Sequence, residues 1–219
     1  MCQMNSSALR GFFDEVLNQR NPDLLAKYFS ENYAGHVTPY VGVGVAPDFS
    51  DEEKVTIQMV VPGGPCDGKL MVGDELLRVS DGDRTWETFD ELRDSGWGHG
   101  PLDTAFTVWV RRAGEGHEIT LTRGLIQGVD LPYHFVETGM AEFLKNWRDW
   151  QTRLVHVIEV GDLVAYHAEH QGYNARFGRS AVWSEFGFVR VQDGKITDWW
   201  YNEDLYSQYR QLGYTIEEP

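Results

Sequence analysis

Residues 185–204, EFGFVRVQDGKITDWWYNED, alternate apolar with polar side chains, turn at Asp193-Gly194, and alternate again. Period-two patterning on both sides of an Asp-Gly pair is a β-hairpin with a tight turn. A hairpin with one apolar face is stable only inside a larger sheet with a covering layer. The fold therefore depends on what that layer is and where in the chain it comes from.

Working outward, Leu154–Val160, Leu163–His170, Ala181–Val191 and Ile196–Asn202 read as strands of an antiparallel meander, and EDLYSQYRQLG (203–213) as a closing helix. In GMAEFLKNWRDWQTRL (139–154), Met140, Phe143, Leu144 and Trp147 recur at helical spacing. The other covering helices lie at the start of the chain. Leu9, Phe12, Phe13, Val16 and Leu17 share one face behind Ser6 as N-cap. NPDLLAKYFSENY (21–33) restarts on Asn21 and Pro22, with Leu24, Leu25, Tyr28 and Phe29 on its apolar side, and this pattern ends near GHVTPY (35–40).

More than a hundred residues separate those helices from the hairpin, and the intervening block differs in kind. Val55–Val61, Glu75–Val79, Thr104–Val110 and Glu118–Thr122 read as short strands separated by glycines, and Trp86–Arg93 as a short helix. The expectation is an α+β domain formed by residues 1–38 and 125–219, with helices on one face of a curved antiparallel sheet. It is interrupted by a small β-rich domain at 39–124. Surface loops accept such insertions when the guest's ends lie close together.

Composition bounds the function. The chain is 42% hydrophobic and 13% aromatic, as in a globular protein, and no apolar run approaches the roughly 20 residues of a membrane-spanning helix. The opening MCQMNSSALRGFFDEV passes directly into an amphipathic pattern without a basic-then-apolar leader. Cys2 and Cys66 are too few for a disulfide framework or a zinc cluster, so a reduced, cytoplasmic protein is expected. A formal charge of −15 argues against nucleic acid and anionic membranes as partners.

The outer segments FFDEVLNQRNPDLLAKYFSENYAGHVTP, GMAEFLKNW, VGDLVAYHAEHQG and FGFVRVQDGKITDWWYNEDLYSQYRQLG resemble the SnoaL-like branch of the nuclear transport factor 2-like superfamily. That resemblance implies a cone-shaped half-barrel with a pocket between sheet and helices, and a homodimer joined through the outer sheet face. The middle block resembles a bacterial-type PDZ domain. GVGV (42–45) stands at the carboxylate-binding loop, VVPGGPCDGKLMVGDELLRVSDG (60–82) at the central core, and ITLTRG (119–124) closes it. Cys66 replaces the family's usual alanine, and Met71-Val72 a common lysine-proline.

Strand parity selects candidate site residues. Trp183, Glu185, Gly187 and Val189 share one face of their strand. In related ketosteroid isomerases and polyketide cyclases the acid–base aspartate lies three residues before the strand's arginine, and here that position is Gly187. Glu185, one pleat away, is the nearest replacement. A carboxylate among aromatic side chains has its pKa raised, which suits proton transfer near neutrality, although a solvated or ion-paired glutamate fits the same pattern. His36 matches a histidine that the family often carries after its second helix. His167 stands where relatives often have a pocket-facing arginine, while His170 falls to the surface. The His167-x-x-His170 spacing does not suggest a metal, because residues three apart on a strand point to opposite faces. Trp199, Tyr201 and Glu203 share the pocket face by family analogy, and with Trp183 they would form a substrate wall.

Two functions follow as expectations. The first is a cofactor-independent acid–base enzyme of cyclase, isomerase or lyase type acting on a small apolar carbonyl compound, with Glu185, His36 and His167 as catalytic groups. Hydrolysis of an epoxide or ester in the same pocket is a variant of it. The second is a non-enzymatic binder whose Gly42, Val43, Gly44 and Val45 backbone captures a peptide C-terminus. Tyr40–Gly124 holds 16 acidic and 8 basic residues, so it supplies −8 of the charge and repels a carboxylate at long range. A lid over the half-barrel is the alternative role for the insert.

Overall fold

A computed structural model describes residues 5–51 and 53–214, and Cys2 lies outside them. In chain order the elements begin with α1 (Ser6–Gly11), which continues as a π-helical segment Phe12–Asn18. A 3-10 turn Pro22–Leu24 leads into α2 (Leu25–Tyr28), followed by β1 (Phe29–Val37). Then come β2 (Tyr40–Gly42), β3 (Val45–Asp48), β4 (Val55–Val60), β5 (Glu75–Asp81), β6 (Arg84–Trp86), α3 (Phe89–Asp94), β7 (Ala105–Arg112), β8 (Glu115–Thr122) and β9 (Gly124–Ile126). The last are β10 (Val129–Pro132), α4 (Tyr133–Asn146), β11 (Trp147–Val160), β12 (Leu163–Asn174), β13 (Arg179–Gln192), β14 (Lys195–Glu203) and α5 (Leu205–Leu212).

The chain divides into two compact units. One is formed by the residues up to Val37 together with those from Asp130 onward, the other by Thr38–Val129.

The first unit is a six-stranded open sheet in the order β10-β1-β14-β13-β12-β11 with helices packed on it. β11 to β14 form an antiparallel meander, and β1 adds to β14 in parallel, so the sheet is mixed. Two irregularities shape its inner face. Asp149 takes a positive φ of 52° where the β11–β12 register shifts, which turns both Trp147 and Trp150 inward. The β13–β14 register also shifts between Arg190 and Val191, so Ile196 and Trp199 are both buried. The core joins Leu9, Phe12, Phe13, Val16 and Leu17 from the first helix to Tyr166, Ala168, Trp183, Val189 and Trp199 from the sheet.

The N-terminal reading needs correction in three places. Asn5, not Ser6, precedes the first helix, and the Glu159 carboxylate accepts from the backbone N–H groups of both Asn5 and Ser6. A carboxylate on these otherwise orphan donors is the stabilising polarity for a helix N-terminus. The second helix ends at Tyr28, not near Gly35, because Phe29 onward pairs with β14 and is claimed by the sheet. Trp147 belongs to β11 rather than to the helix before it.

The second unit is built on the sheet β3-β4-β5-β7-β8, with β6 paired to β5 and a separate β2–β9 ladder. Its apolar core gathers Val43, Ile57, Cys66, Leu70, Val79, Leu92, Trp97, Phe106, Val108 and Leu121. Arg123 is almost fully buried, donating to Asp81, Thr104 and the Trp97 carbonyl while its guanidinium covers the Phe106 ring. Asp74 is equally buried. It accepts a two-pronged contact from Arg112 at 2.7 and 2.6 Å and a third bond from the Met71 N–H.

Burial pushes the Asp74 carboxyl up, but the bonds from Arg112 and Met71 outweigh this and hold it below the ordinary 3.8. With a depressed native value the unfolded chain takes up the proton first. The stabilisation is therefore complete above about pH 4 and is lost as pH falls through the native value. Asp74→Asn should cost about 3 kcal/mol at pH 7, since it strands a guanidinium whose partner is buried. Urea unfolding of the full chain will read this, and below pH 4 the variant's stability should change less with pH than the wild type's.

Candidate active site

Within the first unit the helices and the inner sheet face line an open cavity of about 310 Å³. Its walls are aromatic, with Phe12, Phe13, Phe29, Phe143, Trp150 and Trp199 among them. The π-helical segment Phe12–Asn18 carries both Phe12 and Phe13 to this wall, and local widening of a helix often accompanies functional sites. Three polar side chains share one region of the lining: His170, Glu185 and Glu203. Their nitrogen and oxygen atoms lie within 4.8 Å of one another.

The backbone dictates this meeting. Glu185 and Glu203 are direct cross-strand partners on β13 and β14, and His170 stands opposite Trp183 on β12, one pleat away. Two like charges opposite one another on a buried face oppose folding, so the pair is the kind of local conflict that marks a working site. Burial, and then the neighbouring charge of Glu185, raise the Glu203 carboxyl above the ordinary 4.5, while the Trp183 indole donates to it at 3.2 Å.

Two hydrogen-bond chains support the cluster. On one side Trp199 donates to the Tyr166 hydroxyl at 2.6 Å, and that hydroxyl donates to Glu185 Oε1. Burial and the charge of Glu185 raise the Tyr166 phenol well above 10, so it stays a donor. On the other side Trp150 donates to Thr152 Oγ1 at 2.8 Å, and Thr152 Oγ1 lies 3.1 Å from His170 Nδ1. A hydroxyl oxygen can accept two hydrogen bonds as well as donate one, so either member of the Thr152–His170 pair can carry the hydrogen between them. Nε2 lies 3.3 Å from Glu185 Oε2 but out of hydrogen-bond alignment, and it has no other partner among the described residues.

Gly187 now has a physical reason. A Cβ there would stand 2.5 Å from the Tyr166 hydroxyl and 2.6 Å from the Trp200 carbonyl oxygen. The phenol fills the space that a side chain at this position would need, and it is bonded to Glu185.

Glu185, Trp199, Tyr201 and Glu203 line the cavity, with Tyr201 exposed, whereas Trp183 is buried behind the lining and reaches it only through its bond to Glu203. His36 and His167 are not. His36 is on β1 opposite Trp200, stacks on that outward-facing ring at 4.2 Å, and lies between Asp130 and Asp198 at 2.7 and 3.0 Å. Tyr33 and Gly35 hold the inward positions of β1 instead. His167 faces outward, stacked on Phe186 and beside His156, while His170 is buried at 2% exposure. The histidine pair does point to opposite faces, but with the assignments reversed. The signal was present: Val164, Tyr166, Ala168, His170 and Gly172 form the apolar or small half of the β12 alternation, whereas Glu169 and Gln171 accompany His167. Tyr166, Thr152 and Trp150 join the site unannounced by any motif.

In the second unit Gly42 pairs with Gly124, Val43 is buried with its N–H donated to Gly98, Gly44 adopts φ 76°, and Val45 opens β3. Of this proposed carboxylate loop, the Val43 donor is already engaged.

Residues 121–212 match the model of the SnoaL-like polyketide cyclase family, which is less than half of the chain. Among solved structures, wild-type IdmH, a putative polyketide cyclase from Streptomyces antibioticus, is 13% identical with a TM-score of 0.51, covering 97% of this chain and 100% of that one. TsrD from Streptomyces laurentii is 18% identical with a TM-score of 0.36, covering 37% of this chain, which spans 66% of TsrD. An LEH-like epoxide hydrolase from M. tuberculosis is 10% identical with a TM-score of 0.43, covering 95% of this chain and 88% of that one. No curated protein matches. The likeness to IdmH is one of fold alone, an α+β arrangement.

Two measurements check the site's construction. Gly187→Ala should destabilise the first unit by about 1–3 kcal/mol, because one contact is with backbone and cannot move aside; thermal unfolding will show it. Glu185→Gln removes a neighbouring charge, so the Glu203 carboxyl should titrate closer to 4.5, followed by carboxyl carbon NMR.

Proposed function

We propose that the first unit is a cofactor-independent acid–base enzyme of cyclase or isomerase type, acting on a small, largely apolar carbonyl compound. The observation that carries this reading is the His170–Glu185–Glu203 cluster on the wall of an aromatic cavity. The family match over residues 121–212 and the IdmH-like fold support it. His170 Nε2–H donates to the substrate's carbonyl oxygen, which accumulates negative charge as the neighbouring C–H bond breaks. Glu185 takes that proton and leaves an enol-like intermediate. Glu203, whose carboxyl is raised by burial and by the neighbouring Glu185, faces the same space and is the second carboxyl through which that proton can return where the product's new bond forms. Tyr166 and Thr152 position Glu185 and His170, each held in turn by an indole N–H. His36 and His167 take no part.

Exchange of α-hydrogens in D₂O, followed by proton NMR over a panel of enolisable ketones, tests the proposal without knowledge of the natural substrate. Wild-type protein should accelerate exchange for apolar ketones that fit about 310 Å³. Glu185→Gln should lower the rate at least about a hundredfold with the fold unchanged. His36→Ala should leave exchange within about twofold, and a Glu185→Gln protein with full exchange would remove Glu185 from the mechanism.

A second reading concerns the other unit. β3 is the edge strand of its sheet, beginning at Gly44-Val45, and an edge strand offers unpaired backbone groups to an extended peptide. This supports a PDZ-like unit that captures peptide C-termini. Fluorescence polarisation with a library of C-terminal peptides should find binders that a bulky residue at Gly44 abolishes. Amidated versions of those peptides should bind at least tenfold more weakly.

A further inference from the structure

We infer that, among the small carbonyl compounds the cavity of the first unit takes, it prefers those bearing an ammonium group beside their apolar part to neutral or anionic ones. The inference rests on the proposed function only in placing the ligand in this cavity.

Three observations carry it. Among the described residues no lysine or arginine lines the cavity, whereas two carboxyl groups do. The one basic group in that lining, His170, stands beside both of them, so a single imidazole faces two carboxyls. The remaining walls present aromatic faces and edges packed at angles to one another. Phe12 meets Trp199 edge-on at 83°, Phe29 stacks on Trp199 at 16°, and Phe143 meets Trp150 at 80°. Rings beside a carboxyl-bearing region favour a quaternary or protonated amine, whose charge ring quadrupoles stabilise. An anion entering the same space would meet two carboxyl groups and a single imidazole.

Nε2 of His170, buried and without an aligned partner among the described residues, adds the second half of the ligand. Carrying its hydrogen, it calls for an acceptor such as a carbonyl oxygen.

Acetylcholine and its uncharged carbon analogue 3,3-dimethylbutyl acetate have the same shape and the same ester carbonyl, and they differ in the central atom that carries the charge. Isothermal titration of the full chain at 0.15 M salt should give at least about tenfold tighter binding of acetylcholine. The chain's overall charge of −15 attracts any cation, so the preference must be shown to reside in the cavity. Glu203→Gln should reduce it several-fold, and in the double variant Glu185→Gln/Glu203→Gln the two esters should bind equally. Near-UV circular dichroism confirms that the variants are folded. Should the double variant lose structure, protection of His170 in wild-type NMR spectra by acetylcholine, and not by the neutral ester, replaces it.

Equal affinity for the two esters would overturn the inference, as would a preference that survives in the double variant. Zinc binding that perturbs His170, Glu185 and Glu203 while acetylcholine shows no preference would overturn it in favour of a metal site. Loss of ketone exchange alone would leave the charge selectivity standing, so the two proposals fail separately.

Discussion

Two glutamates facing each other across adjacent strands, inside a wall of aromatic rings, set the terms for the rest of the first unit. Desolvating a carboxylate is costly, and desolvating two together is worse unless one holds a proton and both find donors. The surrounding residues meet those requirements. Tyr166 and Trp183 supply donors, Trp199 and Trp150 fix the groups behind them, and burial raises Glu203. The glycine at position 187 exists because the phenol that serves Glu185 occupies its side-chain space. Where the sequence lacks a carboxylate, the structure holds a phenol, and the nearest carboxylate on that face is Glu185, one pleat away.

Much of the sheet was legible because its signal is local. The Asp193-Gly194 turn, the alternation of β13 and β14 and the inward set Trp183, Glu185, Trp199 all follow from period-two patterning. The middle block's strands and short helix were read within a few residues for the same reason. Failures arose where a non-local partner decided the outcome. Phe29–Val37 has enough helical spacing to extend α2, yet parallel pairing with β14 claims it, and no residue within that segment announces a partner some 165 positions away. His36 and His167 were assigned by analogy of position, and the backbone turned both outward. His170 was misplaced although its own strand's alternation contained the answer.

Bulges were the other blind spot. A positive φ at Asp149 and a shifted register before Ile196 each reverse the alternation midway along a strand, so strict parity mispairs inner and outer residues beyond them. Trp147 and Trp150, three apart, look helical on paper for this reason. The supporting roles of Thr152 and Trp150 depend on the same irregularity, since it determines which indole reaches the threonine behind His170.

The outward turn of His36 has a consequence of its own. The chain departs from the first unit after Val37 and re-enters it at Asp130, and the imidazole of His36 is 2.7 Å from the Asp130 carboxylate. Closing an excursion of 92 residues (Thr38 to Val129) costs roughly 4 kcal/mol of chain entropy, a value that grows only logarithmically with length. With both crossings clasped at one place, a short turn could stand where the module now stands at little thermodynamic difference to the host. Physically the junction is a socket: the length of what is plugged into it bears only weakly on the sheet around it.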